Sequence, residues 1–207
     1  MVTLSSNNQT TRVVTHPMQM KILFSFPPFI GHLNPSLPIA KALVERGHEV
    51  HFISTTEVKE KIINATKIDT SNFYCSRSIH EEFYKGISLD NTSPLAPMES
   101  IFAEFNLPKT EFVSQLMCLN IELERKLHDT IKLMRALHPD IVIYDALIRG
   151  RDAMYAARIL GIKSVGQFSL AGAGRYEENR VVMFVYPMRQ FLFCAHLMFI
   201  SHHLIIS

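Results

Sequence analysis

The sequence predicts an α/β fold with an open, mostly parallel sheet and helices on both of its faces. Short apolar segments recur along the chain, helical patterns alternate with them, and 47% of the 207 residues are hydrophobic against 19% that are charged. Continuous apolar runs are typical of parallel strands that are covered on both faces, and their alternation with helices is the pattern of a Rossmann-like sheet. The length suits one domain with a sizeable core.

The first unit is a strand, a helix and a second strand. The apolar run KILFSF, residues 21–26, is followed by two prolines and predicts a buried strand. Asn34 can then cap a helix that has Pro35 at its first position, and Gly47 provides a stop for it. The segment HEVHFIS, residues 48–54, is rich in β-branched and aromatic side chains and predicts the second strand.

The sequence predicts further strands and helices after residue 56. Residues 57–109 predict a third strand near Phe73 within a long loop and broken helix. The runs DIVIYD at 140–145 and IKSVGQF at 162–168 predict two further strands with a helix between them. Residues 110–138 predict a long amphipathic helix, because apolar side chains recur there at three- and four-residue steps. Its predicted apolar face consists of Phe112, Leu116, Leu119, Leu123, Leu127, Ile131 and Met134.

Three regions are expected along the chain. Residues 1–20 are polar and without periodicity, which predicts a flexible tail. Residues 21–180 are expected to form the domain. Residues 181–207 form an apolar segment of different composition, as if the chain were truncated or divergent there. Its longest clean apolar stretch is shorter than the roughly 20 residues of a membrane helix, which favours a buried or partner-covered helix and leaves membrane contact as the alternative.

Charge and cysteine content argue against several classes of function. The chain has 21 basic and 19 acidic residues spread along it, and the absence of a basic patch argues against nucleic-acid binding. Its three cysteines are far apart and have no zinc-type spacing. The first twenty residues contain no apolar run of signal-peptide length. These observations predict a cytoplasmic protein without a metal site.

The loop FPPFIGHLNPSLP, residues 26–38, carries the strongest chemical signal, which is His32. Loops at the carboxyl ends of parallel strands line the ligand crevice. His32 follows the first strand and Asp145 ends the strand at 140–144, so both are expected at the same edge of the sheet. A neutral imidazole near a helix N-terminus can accept a proton, and a carboxylate on its other nitrogen would fix its tautomer. Alternatively, each residue only caps a local turn.

Other nucleotide chemistries fit this loop less well. The loop has a single glycine instead of Gly-x-Gly-x-x-Gly, and its prolines remove N–H donors that a dinucleotide pyrophosphate would need. The sequence also lacks a Gly-Lys-Ser/Thr phosphate loop and a Gly-x-Ser-x-Gly elbow. No bound cofactor is therefore predicted.

The segment KILFSFPPFIGHLNPSLPIAKALVERGHEVHFIST, residues 21–55, resembles the opening of the UDP-glycosyltransferases and macrolide glycosyltransferases. Proteins of this family have two facing Rossmann-like domains, the arrangement called the GT-B fold. PDIVIYDALIRGRDAMYAARILGIKSVG, residues 139–166, resembles a later segment of the same first domain. The resemblance covers about residues 21–173 and concerns the N-terminal, acceptor-binding domain only.

The resemblance implies a reaction and a role for each matching residue. His32 would remove a proton from an acceptor hydroxyl, and Asp145 would pair with His32. The acceptor oxygen would then attack the anomeric carbon of a nucleotide sugar, with a UDP-sugar as the expected co-substrate and no required metal. The acceptor would be a lipophilic small molecule. The residues expected beside it, with core packing as the alternative, are Phe29, Ile30, Gly31 and Phe168.

In the family, the main nucleotide-sugar site lies in a second domain, for which these 207 residues show no signature. Three interpretations follow. The chain is the acceptor half of a hexosyltransferase and is inactive alone, or it is the acceptor subunit of a split enzyme whose donor domain is a separate chain. In the third, it is a non-enzymatic module that binds small molecules.

Overall fold

The computed structural model describes residues 18–85, 87, 96–146 and 150–167. Among these residues, five strands form one sheet in the order β3-β2-β1-β4-β5, and every neighbouring pair is parallel. The prediction of an open, parallel, Rossmann-like sheet is therefore confirmed. The strands are β1 (Lys21–Ser25), β2 (Glu49–Ser54), β3 (Phe73–Cys75), β4 (Ile141–Asp145) and β5 (Lys163–Gln167).

The strand order creates a topological switch point between β1 and β4. The chain proceeds from β1 to β2 and β3 on one side, and then returns to the other side of β1 to form β4 and β5. The segments that follow β1 and β4 therefore leave the sheet in different directions. In open α/β sheets, the crevice that results at the carboxyl edge is the usual position of a ligand site.

Helices bury the sheet on both faces. Ile22 and Phe24 of β1 belong to one apolar cluster with Phe52 of β2, and these two phenylalanine rings stack with their centroids 4.8 Å apart. Leu23 belongs to a second cluster with Val142 of β4. Successive residues of a strand point to opposite faces, so this division explains why the strands are apolar throughout.

Eight helices and two 3₁₀ turns occur within the described ranges. The turns are Thr56–Val58 and Thr70–Asn72. The helices are α1 (Ile30–Leu33), α2 (Ser36–Glu45), α3 (Lys59–Thr66), α4 (Ser76–Ile79), α5 (Glu81–Tyr84), α6 (Ala96–Glu104), α7 (Phe112–Leu137) and α8 (Arg151–Ile159). Gly47, the predicted stop, follows α2 with a φ of +84°, a conformation that glycine adopts readily.

The start of the second helix differs from the prediction. Asn34 makes no side-chain cap, and it ends α1, a one-turn helix that the prediction lacked. The N-cap of α2 is Pro35. The corner between the two helices is fixed by Ser36, whose buried hydroxyl donates to the Leu33 carbonyl at 2.7 Å. His32 consequently lies on a helical turn and not in an extended loop.

The region from 57 to 109 contains the predicted third strand and more helix than expected. Phe73 begins β3, which confirms that strand. The two helices that follow it have only four residues each, too few for a periodic pattern. Tertiary packing stabilises this region, because Phe83, Ile101 and Phe102 pack with Cys118 of α7 in a third apolar cluster.

The predicted long helix is confirmed as α7, but its most buried face is partly polar. Met134 is fully buried, whereas Phe112 at the start of the predicted apolar face is 71% exposed. The leucines of that face are half-buried and flank the buried line. Apolar periodicity overlooks such a line because it scores side chains by hydropathy. The buried line runs at four-residue steps through Ser114, Cys118, Glu122, Lys126, Thr130 and Met134.

Two polar pairs compensate the burial of charge on α7. Lys126 Nζ lies 2.5 Å from Glu122 Oε1, and both side chains are buried. The Thr130 hydroxyl donates to Asp152 Oδ2 of α8 at 2.7 Å. Unpaired buried charges are costly, so these contacts are needed for α7 to pack where it does.

Two of the predicted regions lie largely or wholly outside the described residues. They are the N-terminal tail, of which residues 1–17 are not described, and the apolar segment 181–207. None of the helices in the described ranges has both the length and the apolar character needed to cross a membrane.

Replacing the buried lysine of α7 should destabilise the domain. Lys126→Met leaves the Glu122 carboxylate buried without its ammonium partner, and removing one member of a buried pair costs about 3 kcal/mol or more. Urea denaturation measures this as a lower midpoint at unchanged slope. Lys132→Met is the matched control on the same helix, because the Lys132 side chain is 64% exposed; it should change the free energy of unfolding by about 0.5 kcal/mol or less.

The double variant Glu122→Leu/Lys126→Met should be more stable than Lys126→Met, because no unpaired charge remains. Equal stability of Lys126→Met and Lys132→Met would show that the pair contributes nothing.

Candidate functional site

The first site residue, His32, is held at the carboxyl edge of β1 by α1. The backbone N–H groups of His32 and Leu33 both donate to the Phe29 carbonyl, each at 2.9 Å. Leu33 is fully buried in the apolar core. The turn that carries His32 is therefore anchored by its neighbour, and the His32 side chain is left 13% exposed.

The second site residue, Asp145, is the last residue of β4 and is fully buried. It lies opposite Gln167 of β5 in the parallel register. Ala146 donates its backbone N–H to the Gln167 carbonyl at 3.0 Å, so the pairing of the two strands continues past the carboxylate. The sheet itself therefore holds Asp145 in place.

His32 and Asp145 meet across the switch point. Nδ1 of His32 lies 2.9 Å from Oδ2 of Asp145, which is within hydrogen-bond reach. A buried carboxylate requires such a partner because an isolated buried charge is costly. The contact has a chemical consequence: a carboxylate that faces Nδ1 favours the tautomer with the proton on Nδ1, in which the Nε2 lone pair can accept another.

Gly150, which sequence reasoning missed, allows the chain to approach Asp145 closely. A Cβ atom at Gly150 would lie 2.6 Å from the Asp145 carbonyl oxygen and 2.7 Å from its nitrogen. Either distance is far below normal contact, so only glycine fits without a shift of the backbone that carries Asp145. The only sequence signal for this role was a glycine just before a predicted helix. Sequence does not show that the backbone of Asp145 lies close to that glycine.

Three of the four predicted acceptor-binding residues, Phe29, Ile30 and Gly31, directly precede His32 in the chain. Phe29 is half-buried, and its ring makes an edge contact with the imidazole at a centroid distance of 6.0 Å. Ile30 is 63% exposed. A Cβ atom at Gly31 would meet nothing within 4 Å. Phe168 lies outside the described residues.

A polar cluster near this edge was also missed by sequence reasoning. It contains Lys126 of α7, Asp152 of α8 and His80, which lies between α4 and α5. His80 is 1% exposed, and its Nε2 is 3.9 Å from Asp152 Oδ2, too far for a hydrogen bond. The available signal was the spacing of polar residues at four-residue steps on α7. Such spacing is typical of a solvent-exposed helix face, and sequence does not show which helices cover it.

Burial sets the protonation of this cluster. Desolvation, assisted by the positive charge of Lys126, lowers the pKa of His80 to about 3, so its imidazole is neutral at physiological pH. Desolvation raises the pKa of Asp152, against the opposing effects of Lys126 and the Thr130 hydrogen bond. The charge of Lys126 is compensated by Glu122, its buried partner on the same helix.

No group of three or more histidine, cysteine, aspartate or glutamate side chains that could hold a metal ion occurs in the part of the chain that the structure describes.

Comparison with known proteins places the sequence similarity among sugar transferases. No protein-family model matches the chain. It is 40% identical over 45 residues to a curated Bacillus subtilis protein described as the uncharacterized UDP-glucosyltransferase YdhE. That segment is 22% of this chain and 11% of the Bacillus protein. The match confirms, over that segment, the resemblance recognised in the sequence.

Solved glycosyltransferases are similar to the chain at low identity. The kitacinnamycin glycotransferase superposes with a TM-score of 0.48 and 20% identity over 72% of this chain. The calicheamicin glycosyltransferase CalG4 superposes with a TM-score of 0.49 and 17% identity over 87% of this chain. The chain spans 30% of the first protein and 38% of the second.

Gly150→Ala should displace Asp145 and destabilise the domain. The added methyl group must push the Asp145 backbone away, and overpacking of this kind costs roughly 1–3 kcal/mol. Urea denaturation gives the loss of stability, and a crystal structure of the variant gives the His32–Asp145 separation, which should exceed 2.9 Å. Gly31→Ala is the control, since its methyl group would enter open space. Wild-type stability and an unmoved Asp145 in Gly150→Ala would contradict the steric argument.

Proposed function

We propose that this chain is the acceptor-binding domain of a nucleotide-sugar-dependent glycosyltransferase, which transfers a hexose from a UDP-sugar to a hydroxyl of a lipophilic small molecule. The observation that carries the proposal is the 2.9 Å contact between His32 Nδ1 and buried Asp145 Oδ2 at the switch point. The sequence similarity to a UDP-glucosyltransferase supports the same reaction class.

In the proposed reaction, His32 acts as the general base. Its Nε2 lone pair accepts the proton of the acceptor hydroxyl while the oxygen attacks the anomeric carbon of the sugar. The new C–O bond forms as the bond from that carbon to the phosphate oxygen breaks, and the nucleoside diphosphate leaves with the electron pair. Attack opposite the leaving group inverts the configuration at the anomeric carbon. A positioned base of this kind contributes roughly 100- to 10,000-fold to a rate.

Asp145 supports the base in two ways. Its contact with Nδ1 fixes the tautomer in which Nε2 is unprotonated, and its negative charge stabilises the imidazolium that forms once the proton has been taken. Because Asp145 is fully buried, water screens this attraction weakly. Asp145 is thus proposed as a positioning and electrostatic residue that never contacts the acceptor.

The surface around His32 supports an apolar acceptor. Ile30, two residues before His32 on α1, is a large exposed hydrophobic side chain, and the Phe29 ring makes an edge contact with the imidazole. A Cβ atom at Gly31 would meet nothing within 4 Å, so the body of a small acceptor has room to approach α1 there. We propose that these residues, with Phe168, contact the body of the acceptor.

The nucleotide sugar is proposed to bind mainly outside the described residues. The segment that matches this chain is only 11% of the Bacillus UDP-glucosyltransferase. We propose that a donor-binding domain, linked to this chain or supplied as a separate polypeptide, completes the enzyme, and that the chain alone is inactive. The nucleotide sugar is a co-substrate, and neither a bound cofactor nor a metal is part of the proposal.

A transfer assay tests the role of His32. The chain is incubated with radiolabelled UDP-glucose, the phenol 4-methylumbelliferone and a donor-binding domain of a related transferase, and glucoside formation is measured. His32→Ala should lower the rate by roughly 100-fold or more, because the base is lost. His48→Ala is the matched control. His48 is another partly exposed histidine, and its Nδ1 accepts a hydrogen bond from Met20 N at 3.2 Å. It precedes β2 and so lies at the amino ends of the strands, whereas His32 lies at their carboxyl ends.

Equal rates for the wild-type chain and His32→Ala would contradict the general-base role. Turnover by the chain without any donor-binding domain would contradict the proposed need for one. Acceptor binding that is unaffected by His32→Ala, with no transfer under any condition, would favour the non-enzymatic binding module.

A further inference from the structure

A cavity of about 30 Å³ lies at the carboxyl ends of β1 and β2, and its wall includes Pro27 and Pro28. Its wall includes Thr55 after β2, His80 between α4 and α5, Lys126 of α7 and Asp152 of α8. The volume admits one small group or a water molecule or two, and not a whole substrate. The proposed catalytic pair, His32 and Asp145, is not part of this wall.

Two residues of the wall each have a hydrogen-bonding atom without a partner among the described residues. The atoms are Nδ1 of His80 and Oγ1 of Thr55, and both are shielded from solvent. Buried polar atoms in folded proteins are nearly always hydrogen-bonded to protein, water or ligand. His80 and Thr55 belong to different parts of the chain and line the same cavity, so a small polar guest there could bond to both after a small side-chain rotation.

The charges around the cavity disfavour an ionic guest. Lys126 is neutralised by Glu122 at 2.5 Å, and its ammonium group also lies over the ring of Tyr84, 5.2 Å from the centroid. An anion would lie beside the carboxyl group of Asp152, and a cation would lie beside Lys126, since both residues line the cavity. His80 is neutral at physiological pH and can donate or accept according to its tautomer.

Neutral hydroxyl groups complete the wall. Ser76 Oγ and Tyr84 OH lie 3.4 Å from each other, and both residues line the cavity. A hydroxyl group both donates and accepts one or more hydrogen bonds, so it can satisfy an imidazole nitrogen and a threonine oxygen at once.

We infer that this cavity binds a second, non-reacting hydroxyl or hydroxymethyl group of the acceptor. The inference rests on the proposed function, and it narrows the acceptor to a neutral molecule that carries at least two hydroxyl groups on an apolar body. One hydroxyl would lie at His32, and the other would lie between Thr55 and His80. The loop after β1 separates the two positions and would contact the body of the molecule through Phe26, Pro27 and Pro28, which line the cavity.

Binding of three matched probes tests this inference without any sugar donor. Benzyl alcohol, benzoate and benzylammonium have the same ring and differ in the charge of one substituent at pH 7. Each is titrated into the full chain, labelled with ¹³C and ¹⁵N at histidine and threonine, and chemical-shift changes of Thr55 and His80 give the affinities. Benzyl alcohol should shift both residues and bind at least tenfold more tightly than either ion.

Variants at adjacent threonines separate the cavity from the surface. Thr55→Val removes one hydrogen-bonding atom of the wall and should weaken benzyl alcohol binding roughly three- to tenfold. Thr56→Val is the matched control, because the Thr56 hydroxyl lies 3.1 Å from Cys75 Sγ and lines no part of the cavity; it should leave the affinity unchanged. Both side chains are partly or fully exposed, so both variants should fold.

Several outcomes would overturn the inference. Benzoate or benzylammonium binding as tightly as benzyl alcohol would show that charge governs the cavity. No shift of His80 with benzyl alcohol up to its solubility limit would show a water-filled structural cavity. An unchanged affinity in Thr55→Val would remove the hydroxyl contact. These binding results do not depend on transfer, so the inference and the proposed function can fail separately.

Discussion

The parallel pairing of β1 with β4 is the constraint on which the candidate site depends. This pairing matches Ser25 with Tyr144, so the two strands end side by side at the carboxyl edge. His32 follows one of these strands and Asp145 ends the other, and their side chains meet at 2.9 Å. The chain connections diverge at this same pair of strands, so the contact lies where an open crevice forms. Topology therefore determines both the pair and its access to a ligand.

The edge of the sheet next to this pair is unusually polar for a buried region. Glu122 and Lys126 form a buried ion pair on α7, and Thr130 bonds to Asp152 of α8. Such networks add little net stability, because desolvation offsets the attraction between the charges. We therefore propose that this polar layer serves ligand recognition, in agreement with the unsatisfied Nδ1 of His80 and Oγ1 of Thr55 beside the cavity. Stability and recognition would then depend on the same helix, α7.

The parallel strands and the contact between His32 and Asp145 could be predicted from sequence. The other features of the site depend on tertiary contacts. Apolar runs identify buried parallel strands, and the expected topology brings His32 and Asp145 to one edge. Lys126 was missed because a lysine four residues after a glutamate is typical of a solvent-exposed helix face. Sequence does not show that neighbouring helices cover it. Gly150 was missed because its role is steric: a Cβ atom there would lie 2.6 Å from the Asp145 carbonyl oxygen, which sequence does not show. Asn34 was assigned to the wrong helix end, since one-turn helices leave no periodic signal.

The protonation of the His32 ring tests the central claim most directly. In the proposed arrangement, Asp145 holds the proton on Nδ1 and leaves Nε2 as the base. Long-range ¹H–¹⁵N correlation spectra of the full chain, recorded at about pH 8 where histidine is normally neutral, distinguish the two tautomers. We expect protonated Nδ1 and unprotonated Nε2 in the wild-type chain, with loss of this preference in Asp145→Asn. An Nε2-protonated ring in the wild-type chain would contradict it.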